Sequence, residues 1–331
     1  FFFHPQDGIR DSVASRGLGD VYKRQREGTT AAYGPKFARI GYEETLKAAK
    51  EHPHWSAPLA PNQGRGIASG FWFNIGGNSS ASVNINEDGT VIVVTGTPDI
   101  GGSRASMALM TAETLGVDIA KVKPLVADTE SIPYSDLTGG SRVPYATGKA
   151  LLEAAEAAIV DMKDRAAKIW DIEGEQIEWK DGCAIAIETD QHKPLSVSDI
   201  AKVAGKTGGP ISGKANINAV GAGPGFGTHI CDVEIDKLTG RTTVTRYTAI
   251  QDVGTAIHPS YGEGQLQGGA VQGIGWALNE EYIYDSDGRL ENPGFLDYRV
   301  PVASDVPMID TVLVEVPNPK HPYGVRAVSY T

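Results

Sequence analysis

"IQDVGTAIHPSYGEGQLQGGAVQGIGWALNEE", residues 250–281, decides the fold because its pattern changes partway along. It ends an alternating run, turns on Asp252-Val253-Gly254, and continues with Gln265, Gly268, Gly269 and Gln272 at spacings that bring side chains to one helical face. Just upstream, the segment from Thr228 reads as a long hairpin with Leu238-Thr239-Gly240 at its tip. The same succession occurs earlier in the chain. "SASVNINEDGTVIVVTG" (80–96) alternates about an Asp88-Gly89 turn, Asp99-Ile100-Gly101 follows, and a helix with Met107, Leu109, Met110 and Leu115 toward a core comes next. Two such units predict an α+β fold of pseudo-duplicated hairpin-plus-helix units, with helices packed on mixed or antiparallel sheets. Both glycine turns then lie at the same end of their sheets and can face one ligand between them.

Other elements follow from pattern. Residues 37–52 read as a helix stopped by the Pro-rich "HPHWSAPLAP". "ATGKALLEAAEAAIVDMKDRAAKIW" (146–170) is the clearest helix, its Ala-rich side suited to close packing on a sheet. "EGEQIEWKDGCAIAIET" reads as a further hairpin and "SVSDIAKVAG" as a short capped helix, while 203–227, rich in Gly, Lys and Asn, reads as a loop or subdomain boundary.

Composition narrows the function. A formal charge of -11 with no cluster of Lys and Arg argues against a nucleic-acid partner. No apolar run is long enough for a membrane span. Cys183 and Cys231 share no metal-type spacing, which rules out a self-contained iron–sulfur or Cys-rich zinc site. His52 and His54 come nearest to a ligand pair, and no metal-ligating side chain is assigned. Catalytic Ser-His-Asp order and a Walker loop are absent, so hydrolase and phosphoryl-transfer readings have no support.

The glycines, 40 in 331 residues, gather in clusters. "GAGPGFGT" (221–228) is no dinucleotide fingerprint, because a strand follows it where a helix belongs. "GGSRAS" (101–106) suits an anion at a helix start, with a plain turn capped by Ser103 as the bland alternative. "LTGGSRVPYATGK" (137–149) repeats Gly-Gly-Ser-Arg before another helix, so both copies could serve one phosphate-bearing ligand or be independent caps. The helical stripe of Gln265 and Gln272 offers amide donors and acceptors to a heterocycle. Each internal Gly costs that helix about 1 kcal/mol against Ala, which packing or a ligand must offset.

These motifs in this order, with "NPGFLDYRVPVASDVP" (292–307) and "VPNPKHPYGVR" (316–326), resemble the cofactor-binding large subunit of the molybdenum hydroxylases, the xanthine dehydrogenase and aldehyde oxidase family. The resemblance runs over 64–326 and implies the second molybdenum-cofactor-binding domain, after a linker and helix at 26–63. Residues 1–25 and 327–331 resemble translated adapter sequence and are expected to lie outside the native fold. A Gly-Gln-Gly segment that contacts pterin and phosphate in the family falls on Gly101, Gly102 and Ser103; its Gln is Gly here, leaving Ser103 or Arg104 to replace that contact. The family's small and hydroxyl run falls on Thr138, Gly140 and Ser141, and its Gln-Gly helix on Gln265 and Gln272. What the resemblance implies is molybdenum-molybdopterin, in bacteria as the cytosine dinucleotide, and water-derived hydroxylation of an aldehyde or N-heterocyclic small molecule. Electrons would leave through iron–sulfur and FAD subunits, in a cytoplasmic setting. The alternative is a non-catalytic cofactor-holding or assembly module. The family's catalytic glutamate falls on Tyr330, whose ordinary pKa near 10 does not suit a base at neutral pH, so this chain alone is expected to be inactive.

Overall fold

The computed structural model describes residues 25–31, 34–128, 130–132, 134–187 and 191–326, so of the two adapter-like ends only Gln25 is described. After α1 (Tyr42–Glu51) and the short α2 (Pro53–Ser56), strand β1 (Gln63–Trp72) leads to the first unit. That unit holds the hairpin β2 (Gly77–Ile85) and β3 (Val91–Thr95), helix α3 (Ser103–Leu115) and strand β4 (Val122–Val126). β2 and β3 pair antiparallel, and β4 returns parallel to β3. The second unit repeats this plan. β9 (Gly225–Ile235) and β10 (Thr242–Asp252) form the hairpin, α7 (Pro259–Leu278) follows, and β11 (Ile309–Val314) returns parallel to β10. The pseudo-duplication expected from the two Asp-x-Gly turns is therefore present, on two mixed four-stranded sheets.

Each sheet takes its fourth strand by a crossing. β1, which precedes the first unit, pairs with β9 of the second, and β8 (Ile211–Ala219) pairs with β2 of the first. The chain thus passes between sheets at 73–76 and again at 220–224. β8 occupies much of the stretch 203–227 that composition marks as loop. Its inward positions Gly213 and Ala215 are small, so the alternation carries little hydrophobic contrast and the strand is hidden from a hydropathy reading.

The reason for those small residues is α4 (Gly148–Trp170), which lies directly on the sheet. Ala150, Ala154, Ala155 and Ala158 are fully buried there, in one core with Val83, Val93, Met107 and Leu151. A Cβ on Gly213 would run into the Ala154 carbonyl and the Ala158 nitrogen. Gly213→Ala is therefore expected to overpack this contact and cost about 2 kcal/mol, read as a lower urea midpoint at unchanged slope.

β5 (Ile177–Lys180), β6 (Cys183–Ala186) and β7 (Leu195–Ser196) form a small antiparallel sheet, tied to the end of α3 where Trp179 Nε1 donates to the Leu115 carbonyl at 3.1 Å. The capped helix expected after it is α5 (Val197–Lys202), with a Ser196/Asp199 capping box, and the single turn α6 (Ala204–Thr207) follows. Cys183 and Cys231 are both free and half-buried. α1 begins later than the sequence suggests, since Phe37 and Ile40 are buried ahead of it, in one cluster with Phe226.

Under α2, His54 Nδ1 bonds Thr248 Oγ1 at 2.8 Å and its Nε2 lies 3.1 Å from Asp232, which also holds Arg65 in a two-point ion pair at 2.7 and 2.8 Å. This chain of side chains mimics a hydrolytic relay, but Thr248 is 1% exposed and no substrate reaches it. It pins α2 to the sheet. His52 pairs with Asp310 instead, so the two histidines share no ligand. Among the described residues no group of His, Cys, Asp or Glu could hold a metal ion, and no helix is long and apolar enough to cross a membrane.

Candidate functional site

At the end of β3 the Asp99 carboxylate accepts hydrogen bonds from the Gly102 N–H and the Ser103 hydroxyl, both at 3.0 Å. The helix therefore starts on Gly102, with Asp99 rather than Ser103 holding the turn. Gly101 and Gly102 have φ of +86° and +91°, a region that side chains rarely adopt. Absence of a Cβ matters here for a second reason. Added at Gly101 it would meet the Gln265 amide, and at Gly102 the Tyr261 ring. Both partners stand on the first two turns of α7, so the two helix starts come face to face across a cleft. N–H groups in the first turn of each helix lack intrahelical carbonyls, and the helix dipoles make that end electropositive.

Ser103 and Ser106 line the cleft from one side, Tyr261 and Gln265 from the other, and His258 stacks flat on Tyr261 at 4.0 Å between centroids. Thr138 and Ser141 form a third wall, where the Thr138 hydroxyl donates to the Pro98 carbonyl at 3.2 Å. The cleft thus brings together Gly101, Ser103, Thr138, Ser141 and Gln265.

The remaining expected residues lie apart. Gly102 supports the wall from behind, against Tyr261. Gly140 faces Ile75, whose N–H bonds the Gly140 carbonyl at 2.9 Å. Arg104 points outward, its Nε 3.7 Å from Asp99 Oδ2. Gln272 lies two turns beyond Gln265, exposed in a shallow groove with Gly268 and Gly269 on the outer side of α7. The glutamine stripe exists, but only its first member reaches the cleft.

The two Gly-Gly-Ser-Arg copies also part company. Arg142, 1% exposed, donates to the Gly76 carbonyl at 2.7 Å, the Asp136 carbonyl at 2.9 Å, the Asn78 carbonyl, and Ser79 Oγ at 2.6 Å. Burial lowers its pKa from the ordinary arginine value. It is an internal brace beneath the Thr138–Ser141 wall, whereas Arg104 is a surface side chain.

Sequence reasoning placed Asp252 in the second turn but missed its partner Arg326, which lines the base of the cleft. Asp252 Oδ1 accepts from the Gly254 N–H at 3.0 Å and Oδ2 from the Gly41 N–H at 2.9 Å, and Oδ2 forms an ion pair with the Arg326 guanidinium, 3.1 Å from its Nε. Arg326 also donates to the Val316 carbonyl at 3.0 Å, the Pro224 carbonyl at 3.3 Å and the Arg39 carbonyl. Burial pushes the Asp252 carboxyl up, against the pull of Arg326 and the backbone donors. The signal was the position of each aspartate, two residues before a glycine at a strand end in both units. Tyr330, where the family's glutamate is expected, lies outside the described residues.

One buried and one half-buried histidine give the fold a pH dependence. Burial holds the His321 ring down to about 4 while its Nδ1 accepts the Tyr323 N–H at 3.1 Å. His229, bonded to Tyr247 Oη at 2.9 Å, is likewise held down to about 4 by burial, and that phenol is pushed up to about 12. Both folded values lie below the unfolded 6.5, so the unfolded chain binds more protons between them. Stability is full above pH 6.5 and falls as the pH drops toward 4, by up to about 1.4 kcal/mol per pH unit for each ring. Urea midpoints at pH 7 and pH 5 check this, and His321→Asn should flatten the difference.

The family described as "Molybdopterin cofactor-binding domain" matches residues 38–307. Among curated proteins, the xanthine dehydrogenase molybdenum-binding subunit of Escherichia coli O157:H7 is 30% identical over 350 residues, covering 98% of this chain and 46% of its own length. The carbon monoxide dehydrogenase large chain of Hydrogenophaga pseudoflava is 29% identical over 262 residues, covering 77% of this chain and 32% of its own length. The chain therefore spans less than half the length of these curated relatives. Quinoline 2-oxidoreductase from Pseudomonas putida 86 shares the fold with a TM-score of 0.79, at 24% identity over 91% of this chain and 42% of that one. A Cu,Mo-CO dehydrogenase does so with a TM-score of 0.72, at 24% identity over 86% of this chain and 37% of that one. With two glycine-turn helix starts opposed across one cleft and a family match over most of its length, this chain belongs to the molybdopterin cofactor-binding domain family.

Proposed function

We propose that the cleft between the two helix starts holds the pterin and phosphate of a molybdenum cofactor, within the large subunit of a hydroxylating oxidoreductase. The observation that carries this reading is the close approach of the two helix starts at Gly101, which lines the cleft and stands so near the Gln265 amide that any Cβ would displace it. The donors present suit such a ligand. An anionic phosphate fits the first-turn N–H groups of α3, and Ser103, Thr138 and Ser141 line the cleft, where a phosphate would draw the Ser103 hydroxyl from Asp99 and the Thr138 hydroxyl from the Pro98 carbonyl. Gln265 presents an amide to the edge of a planar heterocycle, and the stacked His258–Tyr261 pair borders the opening.

When bound, molybdenum would supply the two-electron redox chemistry of water-derived hydroxylation. This chain's residues bind the cofactor, orient it and exclude water around it. The substrate class is an aldehyde or an N-heterocycle, the cofactor is the cytosine dinucleotide form, and electrons pass to iron–sulfur and FAD subunits in the cytoplasm. The resemblance in sequence implies these finer points, and the names of curated relatives that include a nicotine 6-hydroxylase large subunit and a probable aldehyde oxidase support the substrate class. Molybdenum content of the full-length gene product tests the reading: about one metal per chain is expected, and a folded product without molybdenum would sink it. The 331-residue chain alone should show no substrate-dependent dye reduction.

A further inference from the structure

The loop Asn318–Arg326 touches both units and one of the crossings between them. On the second unit, the Arg326 N–H donates to the Val253 carbonyl at 3.2 Å, the Thr255 N–H donates to the Gly324 carbonyl at 3.1 Å, and the Arg326 guanidinium meets Asp252. On the first unit, Tyr323 Oη bonds Thr114 Oγ1 of α3 at 3.0 Å, and the His321 ring lies 5.5 Å from that of Tyr145, just before α4. At the crossing, Asn318 Nδ2 donates to the Ala222 and Gly221 carbonyls at 2.7 and 3.2 Å. Gly221 and Gly223 there have φ of +82° and +70°, so the link itself is built from residues with wide backbone freedom.

The loop is stiff in its own right. Asn318 N–H bonds the Gly324 carbonyl at 2.8 Å, the Gly324 N–H bonds the His321 carbonyl at 2.9 Å, and Pro319 and Pro322 fix two φ angles. The cleft walls stand on separate sheets joined by short crossings, and such walls can tilt about their links. A stiff piece bonded to both walls and to a link removes that freedom.

We propose that Asn318–Arg326 is a clasp that sets the opening of the cleft, with Asn318, Tyr323 and Arg326 as positioning residues. The inference rests on the cleft being the cofactor site for its functional meaning, but its claim is geometric and is tested without cofactor. Spin labels go on the two lips of the 331-residue chain, at Leu137→Cys and Glu263→Cys, with Cys183→Ser and Cys231→Ser as background. Pulsed EPR should give one narrow distance distribution with the native loop. Asn318→Ala with Tyr323→Phe should lengthen it and at least double its width. An unchanged distribution in a folded double variant overturns the clasp.

Should the double variant not fold, Tyr323→Phe alone removes one hydroxyl. It should speed hydrogen exchange of the Thr255 and Arg326 amides, on the opposite unit, by roughly 2- to 10-fold, the equivalent of one hydrogen bond. Acceleration confined to the neighbourhood of Thr114 and Tyr323 is what a merely local role gives, and it overturns the clasp. Cofactor binding is scored separately. A chain that binds no molybdopterin yet opens in the variant refutes the proposed function and upholds the clasp. One that binds it with unchanged distances refutes the clasp and upholds the function.

Discussion

Arg326→Ala is expected to destabilise the chain by about 3–5 kcal/mol, read as a large fall in the urea midpoint. Both Arg326 and Asp252 are buried, at 1% and 0% exposure. Removing the guanidinium leaves a carboxylate without its counter-ion, and leaves the Val316, Pro224 and Arg39 carbonyls without a donor. The sign and size can be checked by variants that remove charge in pairs. Arg326→Met combined with Asp252→Asn should recover part of the loss, because neither side chain is then an uncompensated buried charge. In Arg326→Ala itself the defect should shrink as the pH is lowered, since a protonated Asp252 costs less to bury. A loss independent of both tests would mean that side-chain volume, not charge, sets the stability of this corner.

Gly101→Ala is expected to separate binding from folding. The residue sits at φ +86°, and its added methyl meets Gln265, a flexible side chain that can swing away at some cost. Stability should drop by about 1 kcal/mol from the left-handed backbone alone. Cofactor content of the full-length protein should fall by about tenfold or more, because the methyl drives the Gln265 amide out of its place in the cleft wall. Pterin fluorescence after release, set against a thermal melt, distinguishes the two effects. A variant with full pterin content would show that this cleft wall is not the binding surface.

Much of the fold was legible in sequence, for identifiable reasons. The β9–β10 hairpin alternates and closes on an Asp236 turn, whose carboxylate accepts the Leu238 and Thr239 N–H groups. α4 carries a long apolar side at helical spacing. β8 was not legible, because a strand that receives a helix backbone at van der Waals distance must be small, and small residues carry no hydrophobic alternation. At the site, the opposed glycine turns were readable because positive φ favours glycine, as at Gly101, Gly102 and Gly254. Arg142 and Arg104 were not separable, since each follows Gly-Gly-Ser and their difference is burial alone.

By itself, then, the sequence determined what short-range physics governs: strand and helix periods, turn residues, caps, and the repetition of one unit. Tertiary structure alone decided which glutamine faces the cleft, which arginine is an internal brace, and that β1 and β8 exchange sheets. These depend on desolvation and on contacts between residues distant in the chain. Arg326 and Asp252 show the reason most plainly: 74 residues apart, they form a pair only because the fold removes both from water.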